Sequence, residues 1–182
     1  MKTLNLFPTN IFIDYLSLDL KTLEKEIIEY SQKQESVCIS NIGGYQGHGY
    51  FNKTLFHYIA KNLPTNLDKP LKEITSNMWI NINKTGDYNG MHDHNPYQGT
   101  ALSGVFYVKT PKNCGRIKLY DPRQFVTNAP DMAYYNNSNT FHYFDPEPNM
   151  LLIFPGWLKH LVEPNQSSEP RISIAFNIKL IY

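Results

Sequence analysis

Apolar and polar residues alternate in two distinct rhythms along the chain. Leu20, Leu23, Ile27 and Tyr30 recur at spacings of three, four and three, which places them on one helical face. Ser17 is a candidate cap for that helix, which should run to about Gln32. A second short helix is expected from Lys53 to Leu63, ended by Pro64. Between them lies Ser40-Asn41-Ile42-Gly43-Gly44-Tyr45-Gln46-Gly47, which reads as too glycine-rich for regular structure.

From residue 77 the rhythm changes to short β-like runs separated by turn residues. The runs are Met78–Asn83, Tyr88–His94, Ala101–Val108, Arg116–Tyr120, Thr140–Phe144, Met150–Phe154, His160–Val162 and Arg171–Leu180. The breaks carry Thr85-Gly86-Asp87, Asn95-Pro96, Asp121-Pro122, Pro155-Gly156 and Pro164-Asn165, and Asn136-Asn137-Ser138-Asn139 reads as a polar loop. Eight short strands with such turns suggest a mainly β sandwich or jelly roll. The 13 Tyr and 10 Phe, which favour strands, agree. The expected organisation is one domain over 1–182: a helical and loop segment over 1–76 leads into a β core over 77–182.

Charge narrows the classes of function. The net charge is +1 and no Lys/Arg cluster stands out, so a nucleic-acid surface is not indicated. No apolar run reaches the length needed to span a membrane, and the N-terminal stretch has no signal-like apolar region. Cys38 and Cys114 fit neither a disulfide framework nor a zinc knuckle. They read as free thiols, and the expected location is the cytoplasm.

The chemistry gathers around His92-Asp93-His94. On a strand, residues i and i+2 share a face, so both imidazoles can aim at one metal while Asp93 points away. His160, after the run Leu151-Leu152-Ile153-Phe154 and the turn Pro155-Gly156, is the candidate third ligand. Three ligands on one face leave positions open for a cosubstrate and oxygen, as in non-haem iron oxygenases. Arg171 opens the last strand, and Ser173 shares its face. A guanidinium clamps a carboxylate with two parallel hydrogen bonds and a hydroxyl adds a third, which suits the distal carboxylate of 2-oxoglutarate. His48, His57 and His142 read as ordinary surface or core residues, Asp121-Pro122-Arg123 as a turn, and Trp157 as packing.

These motifs resemble the iron(II)/2-oxoglutarate oxygenase superfamily. The stretch Asn81-x-Asn83-x-x-Gly86-x-x-Asn89-x-x-His92-x-His94 is similar to the start of the core of prolyl hydroxylases and alkylated-DNA repair dioxygenases. Leu102-Ser103-Gly104-Val105-Phe106-Tyr107-Val108 resembles their following strand, and that match gives Tyr107 a contact with the 2-oxoglutarate carboxylate. Gly115-Arg116-Ile117-Lys118-Leu119 resembles the next strand. Phe154-Pro155-Gly156-Trp157-Leu158-Lys159-His160 and Arg171-Ile172-Ser173 resemble the distal histidine and the arginine-x-serine signature. Leu6-Phe7-Pro8, Ser40-Asn41-x-Gly43-Gly44 and Ala175-Phe176-Asn177 also fit a small bacterial and phage group of 2OG-Fe(II) oxygenases.

The resemblance implies a double-stranded β-helix (jelly roll) with N-terminal helices packed outside the barrel. It implies a hydroxylase-type dioxygenase using Fe(II), 2-oxoglutarate and O2, with ascorbate as an accessory reductant. His92, His94 and His160 would hold the metal; Arg171, Ser173 and Tyr107 would hold the cosubstrate, with Asn81 and Asn83 as further contacts. The primary substrate is left open between a small molecule and a protein side chain, and so is oligomeric state. One departure stands out: His94 occupies a place where the superfamily usually has Asp or Glu. Two other functions use the same histidines. One is a three-histidine cupin dioxygenase without 2-oxoglutarate, and the other is a non-catalytic metal-binding jelly-roll module.

Overall fold

The computed structural model describes residues 7–63, 71–94, 99–123 and 141–182. Among them two helices and eleven strands form. In chain order they are β1 (Phe12–Tyr15), α1 (Leu20–Ser31), β2 (Asn41–Ile42), β3 (Tyr45–His48), α2 (Lys53–Asn62), β4 (Glu73–Asn83), β5 (Tyr88–His92), β6 (Leu102–Lys109), β7 (Ile117–Tyr120), β8 (Phe141–Phe144), β9 (Met150–Pro155), β10 (His160–Val162) and β11 (Arg171–Ile181). They build a six-stranded sheet in the order β1-β9-β6-β11-β4-β3 and a five-stranded sheet in the order β2-β5-β10-β7-β8. All the strand pairs in both sheets are antiparallel.

Strand alternation decides which face of the larger sheet does what. Ile172, Ile174, Phe176 and Ile178 of β11 point to one side, with Met78, Ile80 and Ile82 of β4. The apolar stripes of the helices complete that cluster, through Leu23 and Ile27 of α1 and Leu55 and Ile59 of α2. The other parity of β11 gives Arg171, Ser173, Ala175 and Asn177. That face looks toward the smaller sheet, where Val105, Tyr107, Leu152 and Phe154 pack with Ile117 and Leu119. Buried helix residues therefore share the cluster of one parity of β4 and β11, and the other parity carries the polar residues.

Several local expectations change. The cap of α1 is Asp19, not Ser17: its carboxylate accepts from the backbone N–H groups of Lys21 and Thr22, both at 3.2 Å. The predicted face of that helix is the buried one. The glycine-rich segment is not irregular, since it supplies β2 and β3. Its glycines sit between the two strands: Gly43 and Gly44 adopt φ of +68° and +66°, turning the chain from one sheet into the other. A Cβ on Gly43 would lie 2.1 Å from Asp87 Oδ1, so that carboxylate would have to move aside for any other residue. β1 has no counterpart among the expected strands, and β4 begins five residues earlier than its apolar run. β5 ends at His92 rather than His94. Leu6, Pro64, Asn95-Pro96, the Asn136–Asn139 loop and Thr140 lie outside the described residues.

Candidate metal and cosubstrate site

A partly open cavity lies between the two sheets. Its walls come from both. His92 of β5 and His160 of β10 are direct cross-strand partners in the five-stranded sheet. His94 follows the end of β5, and its backbone N–H still donates to Gly156 O at 2.8 Å, which keeps the segment extended. The expected i, i+2 placement thus holds beyond the formal end of the strand. One ring nitrogen from each of the three histidines lies within 4.8 Å of the others, a spacing that could hold a metal ion. The Nε2 atoms of His94 and His160 are 3.3 Å apart.

Hydrogen bonds on the far side of each ring prepare these nitrogens. His92 Nδ1 contacts Gly90 O at 2.7 Å, and His160 Nδ1 contacts Leu158 O at 2.8 Å. A carbonyl can only accept, so both Nδ1 atoms carry the proton and both Nε2 lone pairs are bare. His94 Nδ1 contacts Asn177 Oδ1 at 2.5 Å. Burial pushes all three imidazoles toward the neutral form. It brings His94 to about 4 and His160 to about 3, with neighbouring histidines adding to the effect, and it also lowers His92. Neutral imidazoles with exposed Nε2 lone pairs are the donor set that a first-row transition metal requires. Asp93 is exposed and stands outside this cluster of donors.

The other end of the cavity is polar and lies on the six-stranded sheet. Arg171 on β11 stands opposite Asn83 on β4. One step along, Asn81, Ser173 and Tyr107 form a row across β4, β11 and β6. Arg171 is only 2% exposed and donates to the carbonyls of Cys114 and Gly115, at 2.9 and 3.2 Å. No carboxylate among the described residues pairs with it. Burial lowers the pKa of this guanidinium, and burial raises that of the Tyr107 phenol. The side-chain oxygens of Asn81 and Asn83 are buried without a hydrogen-bond partner among the described residues. A buried cation beside unsatisfied polar atoms costs free energy unless a ligand completes the set. An anionic ligand would answer the guanidinium, while the two amide oxygens, as acceptors, call for donors such as water.

Seven of the eight residues singled out from the sequence line this cavity; Asn83 does not, but its Nδ2 donates at 3.4 Å to Oδ1 of Asn89, which does. Arg123 pairs with Asp121 in its turn, and Trp157 is exposed, outside the cavity. His48 is less ordinary than its sequence reading, because it stacks on Trp79, which in turn stacks on His94. Sequence reasoning misses two neighbours of the cluster as site residues, Trp79 and Asn177. A signal for Asn177 exists: it shares parity with Arg171 and Ser173 on β11.

The family model described as "Putative 2OG-Fe(II) oxygenase" matches residues 77–177, more than half of the chain. The chain belongs to the 2OG-Fe(II) oxygenase family. The match begins in β4 and ends at Asn177, so it spans both the histidines and the Arg171 end of the cavity. Solved structures agree on the fold. A Pseudomonas putida prolyl-4-hydroxylase is similar at a TM-score of 0.69 and 11% identity, over 96% of this chain and 94% of that one. A prolyl hydroxylase from Trichoplax adhaerens, in complex with a hypoxia inducible factor peptide fragment, is similar at 0.66 and 16%, over 93% and 83%. HygX from Streptomyces hygroscopicus, with nickel and 2-oxoglutarate bound, is similar at 0.63 and 8%, over 94% and 83%. No curated protein matches the sequence. As a 2OG-Fe(II) oxygenase the protein is an enzyme whose cofactors are iron(II) and 2-oxoglutarate, with O2 as oxidant. No helix among the described residues is long and apolar enough to cross a membrane.

Proposed function

We propose that this oxygenase is a hydroxylase. In this reading the chain is one domain, a double-stranded β-helix over 77–182 with its N-terminal helices packed outside the barrel. The way successive strands from β4 to β11 are shared between two facing antiparallel sheets supports the jelly-roll assignment. The burial of Leu23, Ile27, Leu55 and Ile59 against the outer face of the larger sheet supports the helix placement.

His92, His94 and His160 hold iron(II) through Nε2. Arg171, Ser173 and Tyr107 hold the C5 carboxylate of 2-oxoglutarate, and Asn81 lines the cavity beside them. Asn83 acts through Asn89, to which its amide donates. When bound, the iron would activate O2, the oxidant: one oxygen atom would enter succinate as 2-oxoglutarate loses CO2, and the other would go to the substrate as a hydroxyl. The chain's own residues bind, orient and exclude water. Val105, Phe154 and Ile117 supply apolar lining to the cavity beside its polar groups. The hydroxylase assignment is supported by the prolyl hydroxylases among the structural neighbours.

One observation carries the reading: a buried arginine without a carboxylate partner among the described residues shares a cavity with three converging imidazoles. A cupin-type dioxygenase without 2-oxoglutarate would use the histidines and leave Arg171 and Ser173 idle. A metal-stabilised module would need neither the arginine nor the cavity. Crystallography under anaerobic conditions, with iron(II) and 2-oxoglutarate, tests the assignment. The expected result is three nitrogen ligands at about 2.0–2.2 Å from the metal and a carboxylate on Arg171. A metal bound through Asp93, or a cosubstrate placed away from Arg171, would overturn it.

A further inference from the structure

We propose that Asn177 is the positioning residue that makes His94 a metal ligand, by fixing its proton on Nδ1. This rests on the three-histidine reading above and deepens it.

The three imidazoles are not held alike. His92 and His160 each give Nδ1–H to a backbone carbonyl, and a carbonyl has no alternative role. Their tautomers are therefore set by the path of the chain. His94 is bound instead to a side-chain amide, Asn177, at 2.5 Å. An amide has an accepting end and a donating end. With the oxygen toward His94, Nδ1 carries the proton and Nε2 is bare for metal. With the NH2 group toward it, the proton would move to Nε2, which faces His160 Nε2 at 3.3 Å and would be lost as a donor.

Ser103 is compatible with the first arrangement. Its hydroxyl, fully buried, lies 2.8 Å from the same Asn177 oxygen and donates to it. A hydroxyl rotates to suit its partner, so it supports the accepting oxygen without demanding it. In the first arrangement two donors converge on Oδ1 and His94 is left ready for metal. Strand register builds the arrangement, because Asn177 stands directly opposite Ser103 in the β11–β6 ladder. Trp79 stacks on the His94 ring at 5.7 Å, which limits rotation of the imidazole but leaves the position of its proton open. His94 is thus the one ligand of the three whose proton placement depends on a replaceable side chain. An outer partner of this kind is worth about 10–100-fold in metal affinity in general.

The test uses the full chain and cobalt(II) as the metal probe, with histidine proton–nitrogen correlation spectra of the metal-free protein as an independent readout. Asn177→Asp keeps only accepting oxygens, so it should bind cobalt(II) at least as tightly as the native chain and keep the proton on His94 Nδ1. Asn177→Leu removes the acceptor. It should weaken cobalt(II) binding about 10–100-fold and show His94 with its proton on Nε2 in part of the population, while His92 and His160 keep theirs on Nδ1. Asn177→Ala serves if the leucine variant does not fold, with the same expectation. Native affinity and a native His94 spectrum in the variants lacking the acceptor, with cobalt(II) binding lost in His160→Ala, would overturn the role of Asn177 and leave the metal site standing. Native affinity in His160→Ala would overturn the metal site itself, and this inference with it.

Discussion

His92 and His160 face each other across the β5–β10 ladder, with ring centroids 4.3 Å apart. The first closes the segment that begins the β core, and the second comes from near its end. Their juxtaposition therefore depends on the pairing of strands far apart in the sequence, and a metal bound between them would tie early and late strands together. Binding that requires the folded state adds to its stability, so iron(II) should raise the melting temperature of the native chain.

Arg171 sits at the opposite end of the same cavity, and its role is separable from that of the histidines. Arg171→Ala should weaken 2-oxoglutarate binding by about 2–5 kcal/mol, the range for stripping a partner from a desolvated charge pair. Metal affinity should stay near the native value. Calorimetry with the iron-loaded protein under anaerobic conditions measures both. Unchanged 2-oxoglutarate affinity would place the carboxylate elsewhere.

Gly115 holds Arg171 from behind, through its carbonyl at 3.2 Å. It adopts φ of +86°, and a Cβ there would meet Glu163 O at 2.2 Å. Gly115→Ala must therefore shift the backbone that orients the guanidinium. It should cost about 1–3 kcal/mol of stability and also weaken 2-oxoglutarate binding. Gly86→Ala is the matched control: φ is +87°, but nothing lies within 4 Å of the added Cβ. That variant should lose some stability and keep its 2-oxoglutarate affinity. Equal effects of the two on binding would show that the contact at Gly115 does not position the arginine.

The depressed histidines make the metal-free protein acid-sensitive in a defined window. His94 falls to about 4 and His160 to about 3 from an ordinary value of 6.5, so the unfolded chain binds more protons than the folded one between those limits. Stability is then complete above pH 6.5 and is lost as pH falls through the window, by on the order of 3 kcal/mol for His94 alone. Urea unfolding of chelator-treated protein at pH 7.5, 6 and 5 reads this before most carboxylates titrate. A flat profile, or stability rising toward pH 5, would contradict the buried neutral state.

How much of the site is legible in the sequence depends on how local each signal is. Alternation along β11 is a one-strand property, so the residue pattern alone places Arg171 and Ser173 on one face, and it bounds His160–Val162 correctly as a strand. Asn177 obeys the same parity, but among the many asparagines of the chain nothing marks it apart from its contacts with Ser103 and His94. β1 gives little signal because it is a four-residue edge strand with three exposed positions. At Gly43-Gly44 the glycine content reports the bend and hides the strands beside it, which is why the segment reads as irregular. The row of Asn81, Ser173 and Tyr107 is a matter of inter-strand register, which no single-strand pattern contains.

Succinate release from 2-oxoglutarate in the presence of iron(II), ascorbate and oxygen, compared between the native chain and His160→Ala, shows whether the three-histidine site turns over its cosubstrate. Slow but measurable succinate is expected from the native chain, even without its primary substrate, and none from the variant. Succinate released equally by both proteins, or by neither, would contradict that turnover.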